Sequence, residues 1–151
     1  MPARDDNVEQ LALDRSAADF SAAGSIAAAE ADATAQTVLI DCLGGGVVDV
    51  VVDLTNVGTG PATKISVVGR GSGKAAPAVA TAVDWTTINT EAVDTATGIA
   101  TIVAYTGEIA TPAVGRYMVS FPVRGRYFSA LVWVDAAPAT RGSVYFFRRG
   151  S

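Results

Sequence analysis

Val47-Val48-Asp49-Val50-Val51-Val52-Asp53-Leu54 alternates with a period of two. In an extended chain, Val48, Val50, Val52 and Leu54 fall on one side and the carboxylates Asp49 and Asp53 on the other. That is the signature of a strand with one buried and one solvated face. A dense turn signal, Asn56-Val57-Gly58-Thr59-Gly60-Pro61, ends it. A second strand follows, with Ile65 and Val67 on one face and Lys64, Ser66 and Arg70 on the other, then a loop over Gly69–Pro77. Further strands are expected over Val83–Asn89, Ile99–Tyr105, Tyr117–Val123, Arg126–Val134 and Ser143–Arg148, with a turn at Asp94–Gly98.

The run Arg126–Val134 is apolar on both faces, Phe128, Ala130, Val132 and Val134 on one and Tyr127, Leu131 and Trp133 on the other. Such a strand is either central in a two-layer structure or covered on its outer face by a partner. About eight short strands with no helix between them indicate an all-β fold, an antiparallel β-sandwich over residues 36–151. Jelly-roll and immunoglobulin-like connectivities fit the pattern equally well.

Residues 1–35 differ, being rich in Ala, Asp and Glu. Asn7 followed by Gln10 resembles a capping box, and Val8, Leu11 and Ala12 give an apolar stripe at helical spacing. A short helix over Asn7–Asp19 is expected, on an N-terminal arm lying on this domain or on a neighbouring subunit. On that reading, deletion of residues 1–33 leaves the sandwich folded. No apolar stretch resembles a secretory signal or a membrane span, so neither export by that route nor a membrane partner is expected.

The 151 residues contain no histidine and one cysteine. A Ser/His or Cys/His nucleophile pair is therefore impossible, and acid–base chemistry would fall to carboxylates or lysines. Glu91, Asp94 and Glu108 have no spacing that requires them to converge as a glycosidase pair. The loop Gly69-Arg70-Gly71-Ser72-Gly73-Lys74-Ala75 lacks both the anchoring glycine and the hydroxyl of a phosphate-binding loop. Asp41, Asp49 and Asp53 follow no calcium-loop pattern and read as a solvated strand face. Cys42 reads as a buried, inert thiol. No enzyme activity, cofactor or metal is expected.

Charge is distributed unevenly. Residues 1–60 carry ten acids against two bases, and residues 61–151 five acids against nine bases. Either the acidic third folds back on the basic remainder, or complementary patches join subunits or dock an acidic partner. Nucleic acid is not the expected partner, because the pI of 4.6 opposes phosphate binding. Only 17% of the residues are charged, which fits a surface partly covered by neighbours. The ending Val144-Tyr145-Phe146-Phe147-Arg148-Arg149 combines aromatic and arginine residues of the kind enriched at interfaces.

Between Trp85 and Phe147, the order Trp85-Thr86-Thr87-Ile88, Thr97-Gly98, Ile99–Tyr105, Gly115-Arg116-Tyr117 and Gly125-Arg126-Tyr127-Phe128 resembles small virion accessory proteins of tailed bacteriophages and gene transfer agents, of the capsid decoration or head-fibre type. The resemblance implies a non-enzymatic virion protein that binds the major capsid protein or neighbouring virion subunits and stabilises the head. It also implies a homo-oligomer, with a trimer favoured. The expected contact residues are Val8, Leu11, Leu13 and Phe20 of the arm and Arg116, Arg124, Arg126, Arg148 and Arg149 of the basic end. The alternatives are a carbohydrate- or receptor-binding module, with Trp85 or Tyr105 exposed beside carboxylates, and a tail or baseplate adaptor.

Overall fold

A computed structural model of the chain describes residues 8–15, 26, 37–43, 46–56, 64–93, 96, 100–104, 106–110, 114–135 and 140–149. Its strands are β1 (Val8–Arg15), β2 (Ile40–Asp41), β3 (Val47–Asn56), β4 (Lys64–Ser72), β5 (Thr86–Thr87), β6 (Asn89–Val93), β7 (Ala100–Ala104), β8 (Thr106–Ala110), β9 (Gly115–Pro122), β10 (Tyr127–Asp135) and β11 (Arg141–Arg149). One sheet has the order β1-β11-β3-β9; the other runs β2-β10-β4-β5, with β8 also on β4, and β6 and β7 form a hairpin. All the pairings are antiparallel. The chain is the all-β sandwich that its period-two runs require.

The core lies between the two sheets. Val48, Val50, Val52 and Leu54 of β3 and Val144 and Phe146 of β11 meet Ile65 and Val67 of β4 and Phe128, Ala130, Val132 and Val134 of β10. Phe128 stands between two other rings, 5.7 Å from Phe121 and edge-on to Phe146 at 5.1 Å. The loop over Gly69–Pro77 starts later than expected, because β4 continues through Gly69, Arg70, Gly71 and Ser72. These glycines are strand residues at close approaches. A Cβ at position 69 would lie 2.7 Å from the Phe121 ring, and one at position 71 would run into the Arg124 carbonyl.

Residues 8–15 correct the expected helix. They form β1, an edge strand paired with β11 from Val8↔Arg148 to Arg15↔Gly142, with a bulge between Leu11 and Leu13. The bulge adds a residue, so Leu11 points outward at 47% exposure while Leu13 points into the core at 5%. Ala12 and Ile26 are also buried, and the Ile26 N–H donates to the Thr140 carbonyl at 2.8 Å. Residues 37–39 then close this side of the sandwich. The Val38 N–H donates to the Ala12 carbonyl at 3.0 Å, and the Thr37 hydroxyl donates to the Ala130 carbonyl of the opposite sheet at 2.6 Å.

The outer faces of the two sheets differ. On the β10–β4 sheet, Ser66, Val68, Arg70, Ser72, Ser129 and Leu131 are buried although they point away from the core. The chain's own segment after β4 supplies part of the cover. Arg70 donates from Nε to Ser129 Oγ at 3.1 Å and lies 5.2 Å from the Trp85 ring, and the Trp85 indole N–H donates to the Ala78 carbonyl at 2.9 Å. Burial lowers the pKa of Arg70. The second apolar face of β10 is thus covered within the chain, at Leu131 and Val68, with Trp133 packed against them. On the four-stranded sheet the outward-facing Asp49 and Ser143 are buried among their neighbours, but no described segment packs over its outer face, where Leu11 and Met118 are exposed.

Candidate functional site: the open face of the four-stranded sheet

The register of the four-stranded sheet aligns three outward-facing rows. Leu11, Tyr145, Val51 and Met118 stand side by side on β1, β11, β3 and β9. One row toward the Arg15 end are Asp14, Ser143, Asp53 and Arg116. One row the other way are Glu9, Phe147, Asp49 and Ser120. The middle row is an apolar stripe crossing the sheet, with Met118 62% and Leu11 47% exposed and Tyr145 and Val51 partly exposed, and the partly exposed Phe147 adjoins it from the next row. A shallow groove of about 360 Å³ runs along it, walled by Glu9, Asp49 and Arg116. An apolar strip with a charged rim is the composition of a docking surface.

Ion pairs hold the rim in place. Arg149 grips Asp49 with two hydrogen bonds, Nε to Oδ2 at 2.7 Å and Nη2 to Oδ1 at 3.0 Å, and the Ser120 hydroxyl donates to Asp49 Oδ1 at 2.6 Å. The Arg149 fork holds the Asp49 carboxyl below its ordinary value of 3.8 against the opposing effect of burial, with Ser120 adding to the lowering. The same contact raises the pKa of Arg149. Arg116 donates from Nε to Asp53 Oδ2 at 3.2 Å. Both arginines are well exposed, so these pairs orient side chains more than they stabilise the fold.

The other expected contact residues are dispersed. Arg124, Arg126 and Arg148 sit at one end of the sandwich. Arg126 pairs with Asp41 at 3.1 Å, Arg148 donates from Nη1 to the carbonyls of Asp41 and Leu43 at 3.2 and 3.1 Å, and Arg124 donates to the Val123 carbonyl at 3.3 Å. Arg126, and then the Leu43 N–H, lower the pKa of Asp41. Arg116 stands six strand residues from Pro122, about 20 Å along β9. The five arginines therefore form no single patch. Of the acidic third, Asp41, Asp49 and Asp53 meet Arg126, Arg149 and Arg116, so that part of the charge asymmetry is neutralised within the fold.

The arm residues divide as well. Leu11 belongs to the open face, and Leu13 is a core residue that no partner can reach. The side chain of Val8 lies outside the described residues although its backbone pairs in β1, and Phe20 lies outside them altogether. Trp85 is 8% exposed with its N–H engaged, so it offers no sugar platform; Tyr105 lies outside the described residues. Cys42 is buried, and desolvation pushes its thiol up to about 11. In the glycine-rich segment, Lys74 pairs with Asp84 at 2.6 Å. Among the described residues no group of three acidic or cysteine side chains is placed to hold a metal ion.

The site residues that the sequence reading missed are Glu9, Val51 and Met118. One signal for them was present, since Val51 sits between Asp49 and Asp53 on the side of β3 assigned to solvent. Comparison with protein-family models, curated proteins and solved structures gives no match. Fold and site together define a two-sheet β-sandwich with one sheet covered by its own chain and the other presenting an apolar, ion-pair-rimmed face.

Proposed function

We propose that the protein is a non-enzymatic structural subunit of a virion, a capsid decoration protein that binds the major capsid lattice or neighbouring virion subunits and stabilises the head. The observation that carries the docking part of this reading is the row Leu11–Tyr145–Val51–Met118 on an open sheet face. The virion part is supported by the resemblance of Trp85–Phe147 to accessory proteins of tailed phages. Desolvation of the stripe supplies affinity, and the fixed ion pairs at its rim supply register. Repetition over a symmetric lattice multiplies modest contacts by avidity.

The test is saturation of particles that lack the chain, followed by quantitative mass spectrometry of the washed particles. A fixed ratio of bound chain to major capsid protein, with a raised melting temperature of the particle, is the expected result. Absence of binding would end the decoration reading. The carbohydrate-binding reading keeps one observation in its favour, the partly exposed Tyr145 and Phe147 beside Glu9 and Asp49 in the groove. It predicts defined ligands on a glycan array, loss of that binding in Tyr145→Ala, and no dependence on capsid.

A further inference from the structure

Two of the three rows of the open face are complementary to themselves. Consider a two-fold axis running along the strands, in the plane of contact, midway between β11 and β3. It lays β1 of one copy over β9 of the other and β11 over β3. Every row then meets its own reversed order. In the middle row Leu11 meets Met118 and Tyr145 meets Val51, so apolar residues face apolar residues across the whole width. In the flanking row Asp14 of each copy meets Arg116 of the other, and Ser143 meets Asp53. In the remaining row Glu9 meets Ser120, whose hydroxyl proton already goes to Asp49, and Phe147 meets Asp49, so this row adds no complementary pair. The alternative two-fold, running across the strands, would stack Asp49 on Asp53 and is disfavoured by like charge.

We infer that this face pairs with the same face of a second copy, forming an isologous dimer through aligned sheet-on-sheet packing. The inference rests on the docking reading of the face given above and takes a second copy of this chain, as the neighbouring subunit, for its occupant in place of the capsid lattice. Area supports it. Four strands about 4.8 Å apart, over eight residues at about 3.3 Å each, give a footprint of roughly 500 Å² per copy. Roughly 1,000 Å² buried in total reaches the lower limit for a specific interface, so the dimer is concentration-dependent. Two-fold contact of one patch with itself closes at two subunits and builds no trimer. The arginines at the end of the sandwich, Arg124, Arg126 and Arg148, belong to that end and not to this face, so the pairing leaves their surface uncovered.

Sedimentation velocity over a range of concentrations tests the pairing with no capsid present. The full chain should shift from 15.4 kDa to twice that mass. Met118→Arg should weaken association by at least about tenfold. Arg116→Glu and Asp14→Arg should each be monomeric, because the first sets carboxylate against carboxylate across the interface and the second sets guanidinium against guanidinium. Mixed together they should form a heterodimer, because both cross-contacts then join opposite charges. All three positions are on the surface, and unchanged melting temperatures would show that the variants fold. A monomer at every concentration, a trimer, or an oligomer indifferent to these changes would overturn the inference. A chain that stays monomeric yet saturates particles would overturn the dimer and leave the decoration reading standing; a dimer that ignores particles would do the reverse.

Discussion

Leu11 and Leu13 are two residues apart on one strand, yet the bulge between them sends one outward and the other into the core. Their alanine substitutions should therefore differ sharply. Leu13→Ala opens a cavity beside Val144, its cross-strand neighbour, in a region where both sheets are closely packed. Such truncations cost about 2–5 kcal/mol, and about 3 is a fair centre for a site near an edge strand. For a domain of this length, a loss of about 3 kcal/mol lowers the melting temperature by roughly 6–12 °C. Leu11→Ala removes a side chain already half in water and should cost no more than about 0.5 kcal/mol. Thermal and urea unfolding of the two variants decides the matter. Equal effects, or no effect from Leu13→Ala, would refute both the bulge and the place of β1 in the sheet. Deletion of residues 1–33 also takes on a different expected outcome, since it removes Leu13, Ile26 and the strand that covers the edge of β11; loss of cooperative unfolding is now the expected result.

Gly69→Ala sets a methyl group 2.7 Å from the Phe121 ring, which is fully buried and has nowhere to move, so unfolding measurements should show a loss of about 1–3 kcal/mol. Asp41, Asp49 and Asp84 are held below their ordinary value of 3.8, by Arg126, by Arg149, and by the Ala78 N–H with Lys74 respectively. The unfolded chain therefore binds protons first on acidification, so stability from these groups is full above that value and is lost as the pH falls through the lowered ones; acid titration of the melting temperature should show a plateau and then a decline. Cys42, buried and with its thiol raised to about 11, should resist a disulfide-exchange reagent at neutral pH until the protein is unfolded, and rapid labelling of the native chain would contradict its position.

The sandwich was legible because its central strands are long and alternate cleanly. Val48, Val50, Val52 and Leu54 are all in the core, as their spacing demands. β1 mimics a helix in sequence for a physical reason. A bulge inserts one residue into a period of two, so Val8, Leu11 and Ala12 take on a spacing that mimics a helix turn. The end of β4 resembles a loop because glycines usually mark loops, whereas Gly69 and Gly71 mark places where Phe121 and the backbone at Arg124 press against a strand. The docking face was only partly legible. The ending of the chain marked Tyr145 and Phe147 as interface candidates, but joining them to Leu11, Val51 and Met118 needs the register of four strands that are far apart in sequence. The pairing of Asp41, Asp49 and Asp53 with arginines 63 to 100 residues away is likewise a product of topology.

Hydroxyl-radical footprinting, read by mass spectrometry at Met118 and Tyr145 in the dilute chain and in its assembled form, asks whether the open face of the β1-β11-β3-β9 sheet is the docking surface. Both side chains should be modified readily when dilute and strongly protected once assembled, while Trp85 stays protected throughout. Equal modification of Met118 and Tyr145 in the two states would place the contact elsewhere and end the assignment of this face as the docking surface.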